Sequence, residues 1–82
     1  MTREMTTAEK VKIIIIDQLG VNPIDVTPEA DLREDLGADS LDIVEIVMVL
    51  EEQFNIGIND DDVMDFKTVK SVIDYVVREV GK

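Results

Sequence analysis

Residues 35–45 read DLGADSLDIVE, and this stretch decides the fold because it marks where the central helix of the chain begins. Gly37 breaks any helix that arrives from the N-terminal side, and either Asp39 or Ser40 can cap a helix that starts here. The apolar residues of segment 40–53 then recur at helical spacing. The pattern therefore predicts an amphipathic helix with its entrance at Ser40.

Two sets of apolar residues lie on this central helix. The first set has the spacing of a core-facing stripe and consists of Ile43, Ile46, Val47, Leu50 and Phe54. The second set is interleaved with carboxylates and consists of Leu41, Val44 and Met48. The second set is either a wider buried arc or an exposed contact patch rimmed by acidic residues, and the sequence supports both interpretations.

Capping patterns predict a further long helix on each side of the central one. Thr6 caps a helix over about 7–19 that ends at Gly20, and Thr68 caps a last helix that ends at Gly81. Both helices carry apolar residues at helical spacing. We therefore expect three long helices, with the central one between two others.

The segments between the long helices predict turns and one short helix. Residues 20–39 contain two prolines and two glycines, so we expect a loop with one helical turn from Pro28 to about Leu32. Asn59 can cap a short helix that starts with three aspartates. The residues expected to pin the loop to the core are Val21, Ile24, Val26, Leu32 and Leu36. The predicted fold class is all-α: a small antiparallel bundle of three long helices and one short helix, in a single domain, 1–82, with 1–5 as a disordered tail.

Charge is the most unusual property of the composition. The chain has 8 basic and 19 acidic residues, and no base at all lies between Arg33 and Lys67, where there are eleven acids. Nucleic acid and anionic membranes bind surfaces rich in lysine and arginine, so we expect neither as a partner. We expect basic protein surfaces as partners instead. No apolar run is long enough to insert into a membrane. We expect a soluble, cytoplasmic monomer, although a mature organellar protein would have the same features.

The residue types present exclude most catalytic chemistry. There is no histidine and no cysteine, which rules out Ser-His-Asp and Cys-His arrangements and disfavours soft metal sites. The window 31–42 has acids at calcium-loop spacing, but Arg33 stands at its third position and Leu36 stands where the turn glycine is required. We therefore expect no catalytic residue, no metal site and no enzymatic activity.

Ser40 has two possible roles. It can be a helix N-cap, a role that Asp39 could equally take. Alternatively, Ser40 can carry a phosphodiester, because Gly37 and Ala38 are small enough to let another protein approach and the free N–H groups of a helix start favour a phosphate.

Three segments together resemble the acyl carrier proteins of the bacterial and plastid type: KVKIIIIDQLGV at 10–21, DLGADSLDIVEIVMVLEEQF at 35–54 and TVKSVIDYV at 68–76. The resemblance implies that a separate phosphopantetheinyl transferase, using coenzyme A and magnesium, joins 4'-phosphopantetheine to Ser40. The thiol of that arm would hold acyl groups as thioesters for the enzymes of fatty acid synthesis.

The resemblance also implies a recognition surface and an acyl pocket. The surface would meet basic patches on synthase, reductase and dehydratase enzymes, and its residues are Asp39, Leu41, Asp42, Val44, Glu45, Met48, Glu51 and Glu52. The pocket would shelter the acyl chain between the helices. Its candidate residues are Ile43, Ile46, Val47, Leu50, Phe54, Ile58, Phe66, Val72 and Ile73. The alternative is that these residues form an ordinary hydrophobic core.

Four positions depart from the family pattern. Ile13 and Ile16 replace polar or small residues and predict an exposed apolar strip. Asn59 replaces a proline, and Ile43 replaces a small hydroxyl residue below the serine, where it would narrow the cavity mouth. Other functions stay open: a carrier for polyketide, lipid A or another specialised product, or an acidic adaptor without an arm.

Overall fold

The computed structural model describes residues 4–81, and within this range every regular element is a helix. The four α-helices are α1 (Thr7–Leu19), α2 (Ser40–Phe54), α3 (Asp60–Val63) and α4 (Val69–Val80), and a short 3-10 helix spans Pro23–Asp25. The predicted all-α bundle of three long helices and one short helix is confirmed. The tail predicted for 1–5 lies partly outside the described residues, while Glu4 and Met5 are exposed and irregular.

The ends of α1 follow from side chains that satisfy the free backbone groups of a helix. Thr6 accepts a hydrogen bond from the Glu9 N–H (3.1 Å), and the Glu9 carboxylate accepts one from the Thr6 N–H (3.0 Å). Gly20 adopts φ 63°, a left-handed conformation that glycine takes without steric cost, and ends the helix. The predicted boundaries of α1 are confirmed.

The core is aliphatic and lies where α1 packs against both α2 and α4. Burying such side chains is the main favourable contribution to the folding free energy. The largest fully buried side chains are Ile15, Leu32, Ile46, Leu50, Val11, Val69, Val72 and Val76. Leu32 is the loop residue among them, so the long loop contributes to the core directly.

Backbone hydrogen bonds hold the long loop against the start of α4. The Leu32 N–H donates to the Lys67 carbonyl (2.9 Å), and Asp31 pairs with Thr68 in an isolated antiparallel bridge. The carbonyls of Pro28 and Ala30 accept from the first N–H groups of α4, which lack partners inside the helix (2.9 and 3.0 Å). The loop therefore caps α4 while α4 anchors the loop.

Two predictions about this loop are wrong. Ile24 was expected to pin the loop but is 79% exposed, because it lies in the 3-10 turn that Asn22 caps at the surface (3.1 Å). The helical turn expected from Pro28 does not continue to Leu32, because the chain makes one tight turn and then extends to pair with the segment before α4. Val26, Leu32 and Leu36 are buried as predicted.

The one-turn helix α3 is held from outside rather than by its own cap. Asn59 occupies the N-cap position but makes no side-chain hydrogen bond to the helix, so the predicted cap is not formed. Instead the Tyr75 hydroxyl donates to the Asp62 carboxylate (2.9 Å). The Tyr75 ring meets Phe66 edge to face, with centroids 5.3 Å apart. Tyr75 therefore joins α3 and the segment after it to α4.

We expect Tyr75→Phe to loosen α3 because it removes this hydrogen bond and keeps the ring contact. The free energy of unfolding in urea should fall by about 1 kcal/mol. Amide exchange in 59–66 should become faster, and Asp61→Asn, on the exposed side of the same helix, should leave it unchanged. Equal exchange in wild type and Tyr75→Phe would contradict the anchoring role.

The difference in unfolding free energy between the wild type and Tyr75→Phe depends on pH through the pKa of Tyr75. Burial, and then the hydrogen bond to Asp62, raise that pKa above its ordinary value of 10.0. The neutral hydroxyl is thus favoured in the folded state, so its stabilisation is complete below pH 10.0 and is lost as the pH rises above it.

Candidate functional site

Ser40 is the first residue of α2, and Asp39 is its N-cap. Asp39 accepts from the Asp42 N–H (2.8 Å), and the Asp42 carboxylate accepts from the Asp39 N–H (3.1 Å). These two carboxylates form the capping box, so the interpretation of Ser40 as the cap is wrong. The Ser40 side chain is exposed and has no hydrogen-bond partner within residues 4–81. Its hydroxyl is therefore available to another protein.

Gly37 and Ala38, the two small residues before Asp39, were expected to let another protein approach Ser40. The structure shows a different environment for each of them. Ala38 is buried at 6% exposure, and its N–H donates to the Leu32 carbonyl (2.8 Å), so it packs inward and does not open a path to Ser40. Gly37 has φ 72°, which side chains rarely adopt, while an added Cβ there would meet no atom within 4 Å. Gly37 is thus required by backbone conformation, and the space around it leaves the approach to Ser40 open.

The turn before Ser40 is organised by the Asp31 side chain. Its carboxylate accepts from the N–H groups of Arg33 and Glu34 (both 2.9 Å), and the Asp35 carboxylate accepts from the Asp31 N–H (2.7 Å). The hydrogen bond from the Glu34 N–H is the main cause that lowers the pKa of Asp31 below 3.8. This stabilisation is present above pH 3.8 and is lost as the pH falls through the lowered value.

The same hydrogen bonds explain the calcium-like spacing of acids in this window. Asp31 and Asp35 bind backbone N–H groups and fix the turn. Within residues 4–81, no cluster of three acids is arranged to hold a metal ion. The sequence signal for this loop is an Asp followed four residues later by another Asp, which fits local capping of a turn.

The outer face of α2 presents the second apolar set to solvent. Leu41 is 73% exposed, Val44 50% and Met48 61%. This decides the alternative left open by the sequence: the set is an exposed patch and not a wider buried arc. Glu45 and Glu52 are exposed beside it. Large apolar side chains surrounded by charges on one helix face are typical of a protein-binding surface.

Three acids predicted for partner contact also have internal roles. Asp39 and Asp42 form the capping box described above. Glu51 is half-buried, and its carboxylate accepts from the Ile58 N–H (2.9 Å), which ties the end of α2 to the segment before α3. Sequence reasoning missed this anchor, since Ile58 offers only a backbone group. Glu45 and Glu52 are therefore the acids of this face with no competing role inside residues 4–81.

The residues predicted for an acyl pocket all lie in or against one hydrophobic core. Seven of them are buried, and Phe54 and Ile73 are half-buried. Three open grooves on the surface of residues 4–81 have volumes of about 370, 220 and 430 Å³. Of the predicted pocket residues, Phe66 lines the first groove and Phe54 lines the second. The pocket thus stays a prediction, with ordinary core packing as its alternative.

Three of the positions that depart from the family pattern, two on α1 and one on α2, lie in different environments. Ile13 is 49% exposed, as predicted, and borders the smallest of these grooves. Ile16 is half-buried and packs against the core, so the predicted exposed strip is limited to Ile13. Ile43, in the first turn of α2, is buried in the core.

Comparison with known proteins assigns the family. A family model described as "Phosphopantetheine attachment site" matches residues 9–76. The chain belongs to the acyl carrier protein family. Acyl carrier proteins from two strains of Nitratidesulfovibrio vulgaris are 56% identical over 72 residues, which cover 88% of this chain and 95% of theirs. The acyl carrier protein of Solidesulfovibrio magneticus is 45% identical over 78 residues, 95% of this chain and 100% of its own.

Membership defines the class of activity. The protein is a non-catalytic carrier whose prosthetic group is 4'-phosphopantetheine, and it works with a transferase and with synthesis enzymes. Among residues 4–81, none of the helices has the length and apolar character needed to cross a membrane.

The start of α2 suits the phosphate of this group. The N–H groups of Ser40 and Leu41 have no partner within residues 4–81, and donors at a helix start favour a phosphate oxygen. The carboxylates of Asp39 and Asp42 lie close to the same place and oppose a second negative charge, but both already accept backbone N–H groups.

Proposed function

We propose that Ser40 carries the 4'-phosphopantetheine arm and that the loaded protein delivers acyl groups to the enzymes of type II fatty acid synthesis. The observation that carries the proposal is the position of Ser40: exposed, not used as the cap, and first in α2. Ser71, the other serine, has its hydroxyl engaged with the Thr68 carbonyl (2.6 Å). Ser40 is thus the serine that offers a hydroxyl to an incoming enzyme.

The chain positions the Ser40 hydroxyl for this modification but does not activate it. A serine hydroxyl is a weak nucleophile without a base, and the sequence has no histidine or cysteine. In our proposal the phosphopantetheinyl transferase supplies the base and the magnesium ion. The serine oxygen then forms a bond to the phosphorus next to the pantetheine of coenzyme A, and adenosine 3',5'-bisphosphate leaves. When bound, the arm supplies a thiol that holds acyl groups as thioesters. The protein's task is to hold Ser40 on a rigid helix start and to present α2 to each enzyme in turn.

We propose that the α2 face is the recognition surface for these enzymes, with an apolar centre and an acidic rim. The centre consists of Leu41, Val44 and Met48, and the acids that are free of internal roles are Glu45 and Glu52. Basic patches on the partners complement such a rim and speed association. We place this cycle in the cytoplasm, with the carrier as a monomer whose α2 face stays open.

Charge reversal on this face should weaken binding to partner enzymes. We expect Glu45→Lys or Glu52→Lys to raise the Kd for a ketoacyl synthase roughly fivefold, because each turns an attraction into a repulsion at the rim. The Kd of the wild type should also rise with salt, since exposed charges are screened. Titration calorimetry at low and high salt measures both effects.

Glu29→Lys is the matched control, because it makes the same charge change at an exposed position outside α2. It should alter the Kd much less than Glu45→Lys does. If the two variants weaken binding equally, net charge governs the association and the α2 face is not the recognition surface.

The pathway is tested by intact-protein mass spectrometry of the carrier purified from its own cells. Saturated acyl chains or their β-keto, β-hydroxy and enoyl intermediates on the arm would support fatty acid synthesis. Polyketide intermediates or a single specialised acyl group would assign the protein to another pathway. A protein with Ser40 unmodified would favour the arm-free adaptor.

A further inference from the structure

The hydrogen bonds of the turn before Ser40 converge on one residue, Asp31. Its Oδ1 atom accepts from the N–H groups of Arg33 and Glu34 (both 2.9 Å). Its backbone carbonyl accepts from the N–H groups of the next two residues, 35 and 36 (3.0 and 3.1 Å). Asp31 therefore binds four consecutive N–H groups, two through its side chain and two through its carbonyl.

The hydrogen bonds continue without a break to the start of α2. The N–H groups of Gly37 and Ala38 donate to carbonyls earlier in the turn (3.1 and 2.8 Å). The N–H group of Asp39 donates to the capping box. Ser40 is the next residue, and its N–H has no partner within residues 4–81. Ser40 thus stands at the end of a continuous series of hydrogen bonds that begins at Asp31.

Two further sets of contacts attach this turn to the helical bundle. Leu32 and Leu36 are buried in the core. The Leu32 N–H donates to the Lys67 carbonyl (2.9 Å), and Asp31 pairs with Thr68 in the isolated bridge. The turn is therefore attached to the core and to the segment before α4, and the Asp31 carboxylate shapes the backbone between these attachments and α2.

The surroundings of Asp31 favour its ionised form. The hydrogen bond from the Glu34 N–H is the largest cause that lowers its pKa below 3.8, and desolvation acts in the opposite direction. The Arg33 N–H and the charges of Lys67 and Arg33 lower the pKa further. An ionised carboxylate accepts stronger hydrogen bonds than a neutral oxygen does. The two bases of this part of the chain thus support the turn.

We propose that Asp31 is a positioning residue for the transfer of 4'-phosphopantetheine to Ser40. The proposal rests on the proposed function, because it concerns how that serine is presented to the transferase. Without the Asp31 carboxylate the turn loosens, and Ala38 and Asp39 become free to shift, together with the cap of α2. The hydroxyl is then held less well for bond formation to the phosphorus of coenzyme A. A displacement of about 1 Å at a reacting group can lower a rate as much as a hundredfold.

The test is a series of three neutral substitutions that differ in the acceptor they offer. Asp31→Asn keeps an Oδ1 acceptor, Asp31→Ser offers a shorter and weaker one, and Asp31→Ala offers none. Each carrier is treated with phosphopantetheinyl transferase, coenzyme A and Mg²⁺. We expect kcat to stay within about twofold of the wild type for Asn, and to fall about threefold for Ser and about tenfold for Ala. The KM for the carrier should stay unchanged, because the α2 face is intact.

Glu29→Ala is the matched control, since it removes one negative charge at an exposed position of the same loop. It should leave both kcat and KM unchanged. Equal kcat values for the three Asp31 variants would overturn the proposal, because any effect would then follow the lost charge and not the acceptor. A raised KM at constant kcat would also overturn it, because Asp31 would then be a contact to the transferase.

Amide exchange separates positioning from a general loss of stability. In Asp31→Ala, exchange should become faster at 33–38 and stay unchanged in α1. Faster exchange throughout the domain would overturn the proposal. Circular dichroism identifies the variants that are folded at the reaction temperature, and if Asp31→Ala is not among them, the comparison of Asp31→Asn with Asp31→Ser still decides.

The same experiments keep the two proposals apart. A wild type that takes up no arm would refute the proposed function. A wild type that is loaded at Ser40, together with Asp31→Ala loaded at the same rate, would refute the positioning role alone.

Discussion

A Ser40→Ala variant is expected to take up no phosphopantetheinyl group from coenzyme A, whereas the wild type takes up one. The reason is chemical: the modification forms a phosphodiester with the serine oxygen, and alanine has none. The variant should fold normally, because Asp39 and not Ser40 caps α2 and alanine is favourable at the first helical position. Incubation with transferase, coenzyme A and Mg²⁺, followed by intact-protein mass spectrometry, measures the uptake.

Peptide mapping supplies the control for this experiment. Trypsin cuts after Arg33, Lys67, Lys70 and Arg78, so Ser40 and Ser71 fall on different peptides. The added mass should reside on peptide 34–67 in the wild type. The assignment of Ser40 fails if the mass is found on 71–78, or if Ser40→Ala is still modified. An unchanged melting temperature for Ser40→Ala confirms that lost uptake reflects the missing hydroxyl rather than unfolding.

A Leu50→Ala variant is expected to lose much of the stability of the domain. Leu50 is fully buried in the core, at the side of α2 opposite the exposed patch. Removing such a side chain costs about 2–5 kcal/mol, from lost burial and from the cavity left behind. A domain of this length has a total stability of roughly 4–12 kcal/mol. Urea denaturation should therefore show a large shift of the midpoint to lower concentration.

Leu41→Ala is the matched control, since it makes the same substitution on the same helix at a residue that is 73% exposed. Its free energy of unfolding should stay within about 0.5 kcal/mol of the wild type. Its Kd for a ketoacyl synthase should rise, because Leu41 lies in the centre of the proposed recognition surface. Equal destabilisation by the two variants would show that the two faces of α2 are not separated as described.

The elements of this fold could be predicted where side chains specify them. Thr6 with Glu9, Asp39 with Asp42, and Thr68 with Ser71 form capping boxes whose partners lie three residues apart, so the helix starts are readable in the sequence. The spacing of Ile43, Ile46 and Leu50 likewise identified the buried face of α2. Periodicity also showed that a second apolar set existed, although only the structure decided that it is exposed.

The features that escaped prediction depend on backbone groups or on distant contacts. Every residue except proline offers an N–H, and every residue offers a carbonyl, so no sequence signal pairs Leu32 with Lys67 or Glu51 with Ile58. Ile24 looked like a core residue because it is apolar, although it lies exposed in the turn where the Asn22 side chain accepts from its N–H. The attachment role of Ser40 came from family resemblance, since position alone also allowed the role of cap.

The two halves of the long loop differ in their tolerance of inserted sequence. The turn at Pro23–Asp25 is closed by local hydrogen bonds and carries an exposed Ile24, so an epitope tag placed there would extend into solvent without breaking a tertiary contact. In segment 28–32, the carbonyls of Pro28 and Ala30 accept hydrogen bonds from the first N–H groups of α4, and Leu32 lies in the core. A tag at that place would separate α4 from its anchor. Labels for imaging or affinity purification therefore belong at residue 24.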